Sequence, residues 1–89
     1  MISLETTKRF RKCVPAGRRV EVAAALRRVQ EGFGRPHVHS GLGLRKVGPD
    51  LFECRTKRGG RLVFVAAKGR LTFDFAGNHD EVQSYLRGR

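Results

Sequence analysis

Hydrophobic and polar residues alternate in three short runs between residues 51 and 79. Two glycine-bearing segments separate the runs, first Arg58-Gly59-Gly60 and then Lys68-Gly69. Alternation with a period of two is typical of half-buried β-strands, and such separators are typical of hairpin turns. The pattern therefore predicts a three-stranded antiparallel meander.

The same pattern predicts the register of the meander. A three-residue loop at Arg58-Gly59-Gly60 places Cys54 opposite Phe64, and a two-residue loop at Lys68-Gly69 places Phe64 opposite Phe73. A first loop of two or four residues would turn Arg55 into the apolar face, so we expect three. The apolar face then consists of Phe52, Cys54, Leu62, Phe64, Ala66, Leu71, Phe73 and Phe75.

The opposite face of the meander is expected to carry the remaining side chains of the three runs. Its cross-strand rungs would be Lys57–Arg61–Ala76, Arg55–Val63–Asp74 and Glu53–Val65–Thr72. Lys57 and Arg61 share the rung at the end of the sheet where the chain leaves toward His79. A basic pair and a histidine are therefore expected to meet at one corner of the sheet.

The remaining residues predict two further strands and three helices. Threonine is a favourable N-cap before the first helix, apolar residues recur at helical spacing in the second, and Asn78 can cap the last. The expected strands cover residues 2–5 and 44–48, the helices 8–13, 18–31 and about 79–86, and a loop 34–43. The order β-α-α-β-β-β-β-α predicts a single α+β domain over residues 1–89, an antiparallel sheet with an N-terminal helical hairpin on one side.

The charge of the chain indicates a class of binding partner. The 89 residues include 19 Lys and Arg against 8 Asp and Glu, a net charge of +11 and a pI near 11.3. The basic residues are spread along the chain rather than gathered in a tail. Such a surface indicates a polyanion, with nucleic acid as the leading partner, or an acidic protein partner.

Cysteine use and hydropathy indicate a compartment. Cys13 and Cys54 form no CxxC unit, and Cys54 lies on the expected core face, so both are expected as buried, reduced thiols. The N-terminus has no apolar signal segment, and no apolar run approaches membrane-spanning length. We expect a soluble cytoplasmic protein.

The expected corner has the groups that RNA cleavage through the 2′-hydroxyl requires. Arginine suits the stabilisation of negative charge on phosphorus, and histidine suits proton transfer. Arg61 with Lys57 would supply the first and His79 the second, without a metal or other cofactor. Glu53 is a possible base, although a surface ion pair with Arg55 explains it more simply, and a polar helix-start residue is an alternative explanation of His79.

Other polar residues have weaker patterns. Lys46 and the loop histidines His37 and His39 are expected near a phosphate-binding surface. The two histidines could instead bind a metal with a thiolate or Asp80, but the sequence has no third ligand at a diagnostic spacing. Tyr85 could stack on a base, although its spacing from Val82 is typical of core packing.

Several segments resemble the RelE/ParE superfamily of bacterial type II toxins over almost the full chain. These are Phe10-x-x-Cys13 before the long helix, the stretch FGRPHVHSGLGLRKVGPDLFECR, RLVFV, and GNHDEV followed by Tyr85. The hairpin LFECR…RLVFV is similar to the family pattern l-y-E-x-R…y-R-i-x-y. Around the C-terminal histidine this chain has Asn78 and Asp80 where ribonuclease members often have a tyrosine.

The resemblance implies a compact α+β toxin that is encoded with an antitoxin protein. RelE-like members cleave mRNA at the ribosome without a metal, and the family's hairpin residues match Glu53, Arg55 and Arg61, while His79 matches its C-terminal histidine. The leading expectation is an mRNA endoribonuclease that inhibits translation. Two alternatives remain open: a ParE-like inhibitor of DNA gyrase, and a non-catalytic RNA-binding domain on the same scaffold.

Overall fold

The computed structural model describes residues 2–39 and 41–89 and has the expected α+β order. Its elements are β1 (Ser3–Thr6), α1 (Lys8–Cys13), a 3₁₀ turn (Ala16–Arg18), α2 (Arg19–Gly32), α3 (Pro36–His39), β2 (Arg45–Gly48), β3 (Leu51–Arg55), β4 (Arg61–Ala67), β5 (Arg70–Gly77) and α4 (His79–Arg87). The 3₁₀ turn and the one-turn helix α3 are additions to the expected elements. The loop expected over residues 34–43 includes Ser40, which lies outside the described residues.

The five strands form one sheet in the order β1-β5-β4-β3-β2. The meander and β2 pair antiparallel as expected, but β1 pairs parallel with β5, with Leu4 beside Leu71. Tight hairpins force their strands to be antiparallel, whereas β1 reaches the sheet from the far end of the chain with no turn to set its direction. The sheet is therefore mixed rather than wholly antiparallel.

The second hairpin has the predicted turn and register near it. Lys68 and Gly69 both have positive φ, 52° and 74°, as a type I′ turn requires, and Phe64 pairs with Phe73. Farther from the turn, Asp74 is an extra residue in β5 between the partners of Phe64 and Val63. This β-bulge moves Phe75 to the opposite face and puts Ala76 beside Leu62, so the expected place of Phe75 in the first apolar face is wrong.

The first hairpin keeps a three-residue loop but starts it one residue earlier. The backbone N–H of Thr56 donates to the Gly60 carbonyl at 2.9 Å, which leaves Lys57, Arg58 and Gly59 in the loop. Gly59 takes the positive φ of 80° in that loop. Cys54 consequently pairs with Leu62 instead of Phe64, and Arg55 instead of Lys57 pairs with Arg61. A shift of two keeps every side chain on its predicted face.

Both faces of the sheet are covered. Helices α1 and α2 pack on the first face, where Phe64 and Phe73 stack at 4.6 Å and Phe10 meets Phe73 edge to face. Helix α4 packs on the second face and buries Val63 against Val82. The second face is thus partly a core, which leaves a smaller polar surface than the sequence predicted.

The first and last helices begin at the predicted capping residues. Thr7 caps α1 by accepting from the Phe10 N–H at 3.1 Å. Asn78 caps α4, and Glu81 reciprocates by accepting from the Asn78 N–H at 2.8 Å, which completes a capping box. The position of the first residue of α4, His79, is therefore set by local hydrogen bonds.

Both cysteines are free thiols, but Cys13 is half-buried, so its predicted burial is wrong. Cys54 is fully buried in the core on the α2 side of the sheet, and this burial raises the pKa of its thiol to about 12. Within the described residues, no helix combines the length and the apolar character needed to cross a membrane.

Candidate functional site

The candidate site lies on the second face of the sheet, at the end where β3 and β5 finish and β4 begins. Arg55, Arg61 and Gly77 form the last rung there, and His79 follows Gly77 by two residues. The predicted meeting of Arg61 with the start of the last helix is therefore found. Arg55 and His79 are exposed, while the side chain of Arg61 keeps 23% exposure.

Glu53 lies on the next rung of the same face, opposite Val63, and contacts two arginines. Its Oε1 atom accepts from Nη1 of Arg61 at 2.7 Å and lies 3.6 Å from Nε of Arg45. We call Arg45, Glu53 and Arg61 the Glu53 ion triad. The expected surface ion pair between Glu53 and Arg55 is wrong, because Glu53 is only 1% exposed and its partner is Arg61.

The burial of Glu53 determines what its carboxylate can do. An RNA hydroxyl on the surface cannot approach a carboxylate that is buried and already bonded to a guanidinium, so the geometry does not suit the base role considered from sequence. Among the described residues, Oε2 of Glu53 and Nε of Arg61 are buried without a hydrogen-bond partner. Buried charges without full hydrogen bonding are costly and are concentrated at functional sites. Glu53 is placed to orient Arg61.

Arg55 is positioned by the close approach of the backbone at Gly43. Gly43 has φ +64°, and a Cβ there would lie 2.5 Å from Nε of Arg55, so the arginine stem lies against the glycine. The N–H of Arg55 also donates to the carbonyl of Leu42 at 3.2 Å. The segment before β2 thus supports the Arg55 side chain, a contact that the sequence pattern did not reveal.

Two lysines predicted for the site lie elsewhere. Lys57 is exposed in the β3–β4 loop instead of opposite Arg61. Lys46 pairs with Phe52 and so faces the α2 side of the sheet, opposite to Arg61. A register shift between Lys46 and Gly48 brings Arg45 beside Glu53 in its place. Arg45 was missed because a bulge in an edge strand leaves no reliable signal in the sequence.

The loop histidines have different surroundings. His39 stacks on Phe33 at 5.7 Å, and its Nε2 accepts from the Gly34 N–H at 3.1 Å. His39 therefore holds its own loop together instead of facing the arginines. His37 is exposed on α3.

Tyr85 belongs to the α4 side of the core, as its spacing predicted. Its ring stacks on Phe75 at 4.5 Å with an interplanar angle of 12°. Its hydroxyl donates to Oδ2 of Asp74 at 2.5 Å, and Nη1 of Arg89 donates to the hydroxyl oxygen at 2.7 Å. Burial and the bond to Asp74 together raise the pKa of Tyr85. A ring packed and bonded in this way anchors α4 to β5.

Asp74 is the acceptor at the centre of this anchor. Burial alone would raise the pKa of its carboxyl, but hydrogen bonds from Tyr85 and Thr7 and the charges of Arg9 and Arg89 prevail and lower it. The bulge that displaces Phe75 thus also places Asp74 where Arg9 of α1 and Tyr85 of α4 both contact it.

The site has an excess of positive charge and a histidine close by in the sequence. Arg45, Arg55 and Arg61 carry three positive charges against the single charge of Glu53. Guanidinium groups match phosphate oxygens in a bidentate fork, and positioned donors stabilise charge that develops during reaction. His79 begins the helix that starts two residues after the Arg61 rung.

Comparison with known proteins gives structural matches alone. No protein-family model matches the chain, and no curated protein matches it in sequence. The RelE chain of a RelB-RelE antitoxin-toxin complex from Methanococcus jannaschii superposes with a TM-score of 0.67 at 14% identity, covering 91% of this chain and 96% of that one.

Two Escherichia coli proteins also have structures similar to that of this chain. The toxin RelE, as an arginine double mutant in complex with an antitoxin RelBc peptide, has a TM-score of 0.64 at 18% identity, over 99% of this chain and 94% of that one. YafQ from strain BL21(DE3) has a TM-score of 0.61 at 14% identity, over 92% and 98%. The chain therefore has a RelE-like toxin fold, as the sequence resemblance implied.

Proposed function

We propose that this chain is the toxin of a type II toxin–antitoxin pair and acts as a metal-independent mRNA endoribonuclease that inhibits translation at the ribosome. The observation that carries the proposal is the Arg55–Arg61 rung. Buried Glu53 accepts a hydrogen bond from Arg61, and His79 follows two residues after Gly77, the β5 partner of Arg61. The RelE-like fold of the chain supports the toxin class.

The proposed reaction is attack by a 2′-hydroxyl oxygen on the neighbouring phosphorus. The bond from phosphorus to the 5′ oxygen breaks, which leaves a 2′,3′-cyclic phosphate and a 5′-hydroxyl end. Arg61 and Arg55 bind the phosphate oxygens and stabilise the additional negative charge. His79 donates the proton that the departing 5′ oxygen takes up, and the proton of the attacking 2′-hydroxyl passes to solvent water, because the Glu53 carboxylate is buried and occupied.

Other charged residues have supporting roles in this proposal. Glu53 orients Arg61 instead of accepting a proton, because its carboxylate is buried and occupied. Arg45 and exposed Lys57 contact the RNA backbone beside the rung, and exposed His37 lies on the helix before β2. Lys46 faces away from the rung and His39 bonds its own loop, so neither contacts the scissile phosphate.

The protein partner is an antitoxin. RelE in two of the similar structures is bound to RelB or to a RelBc peptide. A net charge of +11 favours a partner with an acidic surface. Binding of such a partner over the arginines would block the proposed RNA site.

Induced expression in bacteria tests the function directly. mRNA 5′ ends are mapped minutes after induction of the wild type and of Arg61→Ala, His79→Ala and Arg70→Ala. Wild type and Arg70→Ala should produce new ends within translated codons, because Arg70 lies at the distant β4–β5 turn. Arg61→Ala should lose both RNA affinity and cleavage, and His79→Ala should lose cleavage with RNA affinity retained.

Two outcomes would contradict the ribonuclease. Growth arrest with intact mRNA would favour a gyrase-directed toxin, which needs no proton-transfer residue. RNA binding without cleavage or arrest would favour a non-catalytic RNA-binding domain.

A further inference from the structure

A cleft of about 460 Å³ opens at the same end of the sheet as the Arg55–Arg61 rung. It lies between the α1–α2 connection, the β3–β4 loop and the start of α4. Val14, Val22, Leu62 and Ala76 give it an apolar floor. Its size is within the range of roughly 300–1,000 Å³ that is usual for small-molecule sites.

Three arginines stand around this apolar floor. Arg18 lines the cleft from the α1–α2 side, Arg58 from the β3–β4 loop, and Arg61 from the candidate site. The cleft also has Glu81 in its lining, so three arginines and one carboxylate leave its rim with a net positive charge around an apolar interior. A ligand that fits both features has a flat or apolar part and a negative charge.

Glu21 lies near two of the rim arginines. Its Oε2 accepts from the Arg58 backbone N–H at 3.3 Å and lies 4.0 Å from Nη1 of Arg18, and its Oε1 lies 4.0 Å from Nε of Arg58. The hydroxyl of Thr56 is the main cause of a lowered pKa of Glu21. Glu21 therefore connects α2 to the β3–β4 loop at the rim of the cleft.

We propose that this cleft binds one nucleotide of single-stranded RNA, with the base on the apolar floor and a phosphate on the arginine rim. The inference rests on the proposed ribonuclease function and names how its substrate is held. Single-stranded RNA is generally recognised through unstacked bases that enter pockets, while arginines hold the backbone.

Continuity with the candidate site favours a nucleotide over an acidic peptide. Arg61 belongs to both surfaces, since it lines the cleft and also shares the rung with Arg55. A strand of RNA whose phosphate lies on that rung can place a neighbouring base in the cleft without leaving the arginines. An acidic peptide would match the charge, but it lacks the regular alternation of phosphate and flat base that joins the rung to the apolar floor.

Titration of the full chain with 5′-AMP, 5′-UMP and inorganic phosphate tests the cleft by NMR. Both nucleotides should shift the methyl signals of Val14, Val22 and Leu62, because an aromatic base on the floor changes their magnetic environment. Inorganic phosphate should shift the guanidinium N–H signals of Arg18, Arg58 and Arg61 and leave the methyl signals unchanged. Affinity for each should fall with salt.

Val14→Phe fills the cleft, and Val20→Phe is its matched control. Val14 is half-buried in the lining, whereas Val20 is 86% exposed on α2 outside it. Val14→Phe should weaken nucleotide binding about tenfold, the size expected when one base contact is lost, and leave phosphate binding unchanged. Val20→Phe should bind both ligands as the wild type does, and circular dichroism of each variant checks its fold.

The outcomes separate this proposal from the proposed function. If nucleotides shift only the arginine signals, or bind no more tightly than phosphate, the cleft is not a base site although the ribonuclease proposal stands. The same holds if an acidic peptide shifts the floor methyl signals and nucleotides do not. If neither nucleotides nor phosphate bind and RNA oligonucleotides do not bind either, both proposals fail.

Discussion

Removing the charge of Glu53 should both destabilise the protein and slow RNA cleavage. Glu53→Gln preserves the shape of the side chain but leaves Arg61 and Arg45 without their shared anion. The carboxylate is only 1% exposed, and Nη1 of Arg61 donates to it at 2.7 Å. The substitution therefore removes a short, charge-assisted hydrogen bond from the interior of the sheet.

The expected loss of stability follows from how much of each partner is buried. A hydrogen bond to a charged group contributes roughly 1.5–3 kcal/mol. Rupture of a fully buried ion pair costs about 3–5 kcal/mol. The side chains of Arg61 and Arg45 are 23% and 63% exposed and can regain water, so the upper range does not apply. We expect the free energy of unfolding to fall by about 2 kcal/mol, which lowers Tm by about 8–16 °C.

The effect on activity should separate kcat from KM. With Glu53 neutral, Arg61 keeps its positive charge, so RNA still binds and KM should not rise. Its guanidinium loses the partner that orients it, and we expect kcat to fall about tenfold or more. A purely structural role for Glu53 would leave kcat of the folded fraction unchanged.

Denaturation followed by circular dichroism, together with single-turnover cleavage of an RNA oligonucleotide, measures both effects. Glu5→Gln is the matched control, because Glu5 and Arg70 form a 3.9 Å pair in which both side chains are more than half exposed. Glu5→Gln should change the free energy of unfolding by no more than about 0.5 kcal/mol. A double-mutant cycle of Glu53→Gln with Arg61→Gln should give a coupling energy of about 1–3 kcal/mol. If Glu53→Gln behaves like Glu5→Gln in stability and kcat, the ion triad does not hold Arg61.

Two further predictions concern the support of Arg55 and the anchor of α4. Gly43→Ala should displace Arg55 and weaken RNA binding. Gly34→Ala is the control, because Gly34 also has a positive φ but has nothing within 4 Å of its added Cβ. It should lower the free energy of unfolding by a similar amount and leave RNA affinity unchanged. The single tyrosine of this tryptophan-free chain permits a clean ultraviolet titration. The pKa of Tyr85 should exceed 10 and fall toward it in Asp74→Asn. Because the folded-state pKa is the higher one, the stability contributed by Tyr85 is complete below about pH 10 and is lost as the pH rises through that folded-state value. An unchanged titration in Asp74→Asn would contradict the anchor.

The sequence determined the element order and most of the faces of the sheet. Glycines with positive φ close both hairpins, and alternation with a period of two assigns Phe64 and Phe73 to a shared face whichever even register shift the chain adopts. Local hydrogen bonding also made the start of α4 predictable, since Asn78 and Glu81 cap it without help from the rest of the fold.

The tertiary structure decided which charged residues meet. Because the first hairpin loop starts one residue earlier, Arg55 takes the place in the site that was predicted for Lys57. Because of a bulge beside Val47, Arg45 lies in the site and Lys46 does not. Such shifts cost little locally, and packing on both faces of the sheet selects among them. Alternation shows which face a side chain occupies, but it does not show its partner along the strand.

The burial of Glu53 has the same origin. From the sequence alone, a glutamate beside arginines in a strand is expected at the surface. Glu53 is in the interior because α4 covers the second face and β2 pairs alongside. Sequence by itself thus determined that basic residues gather at this end of the sheet. Long-range packing, which no local pattern encodes, decided that a buried carboxylate holds two of them in place.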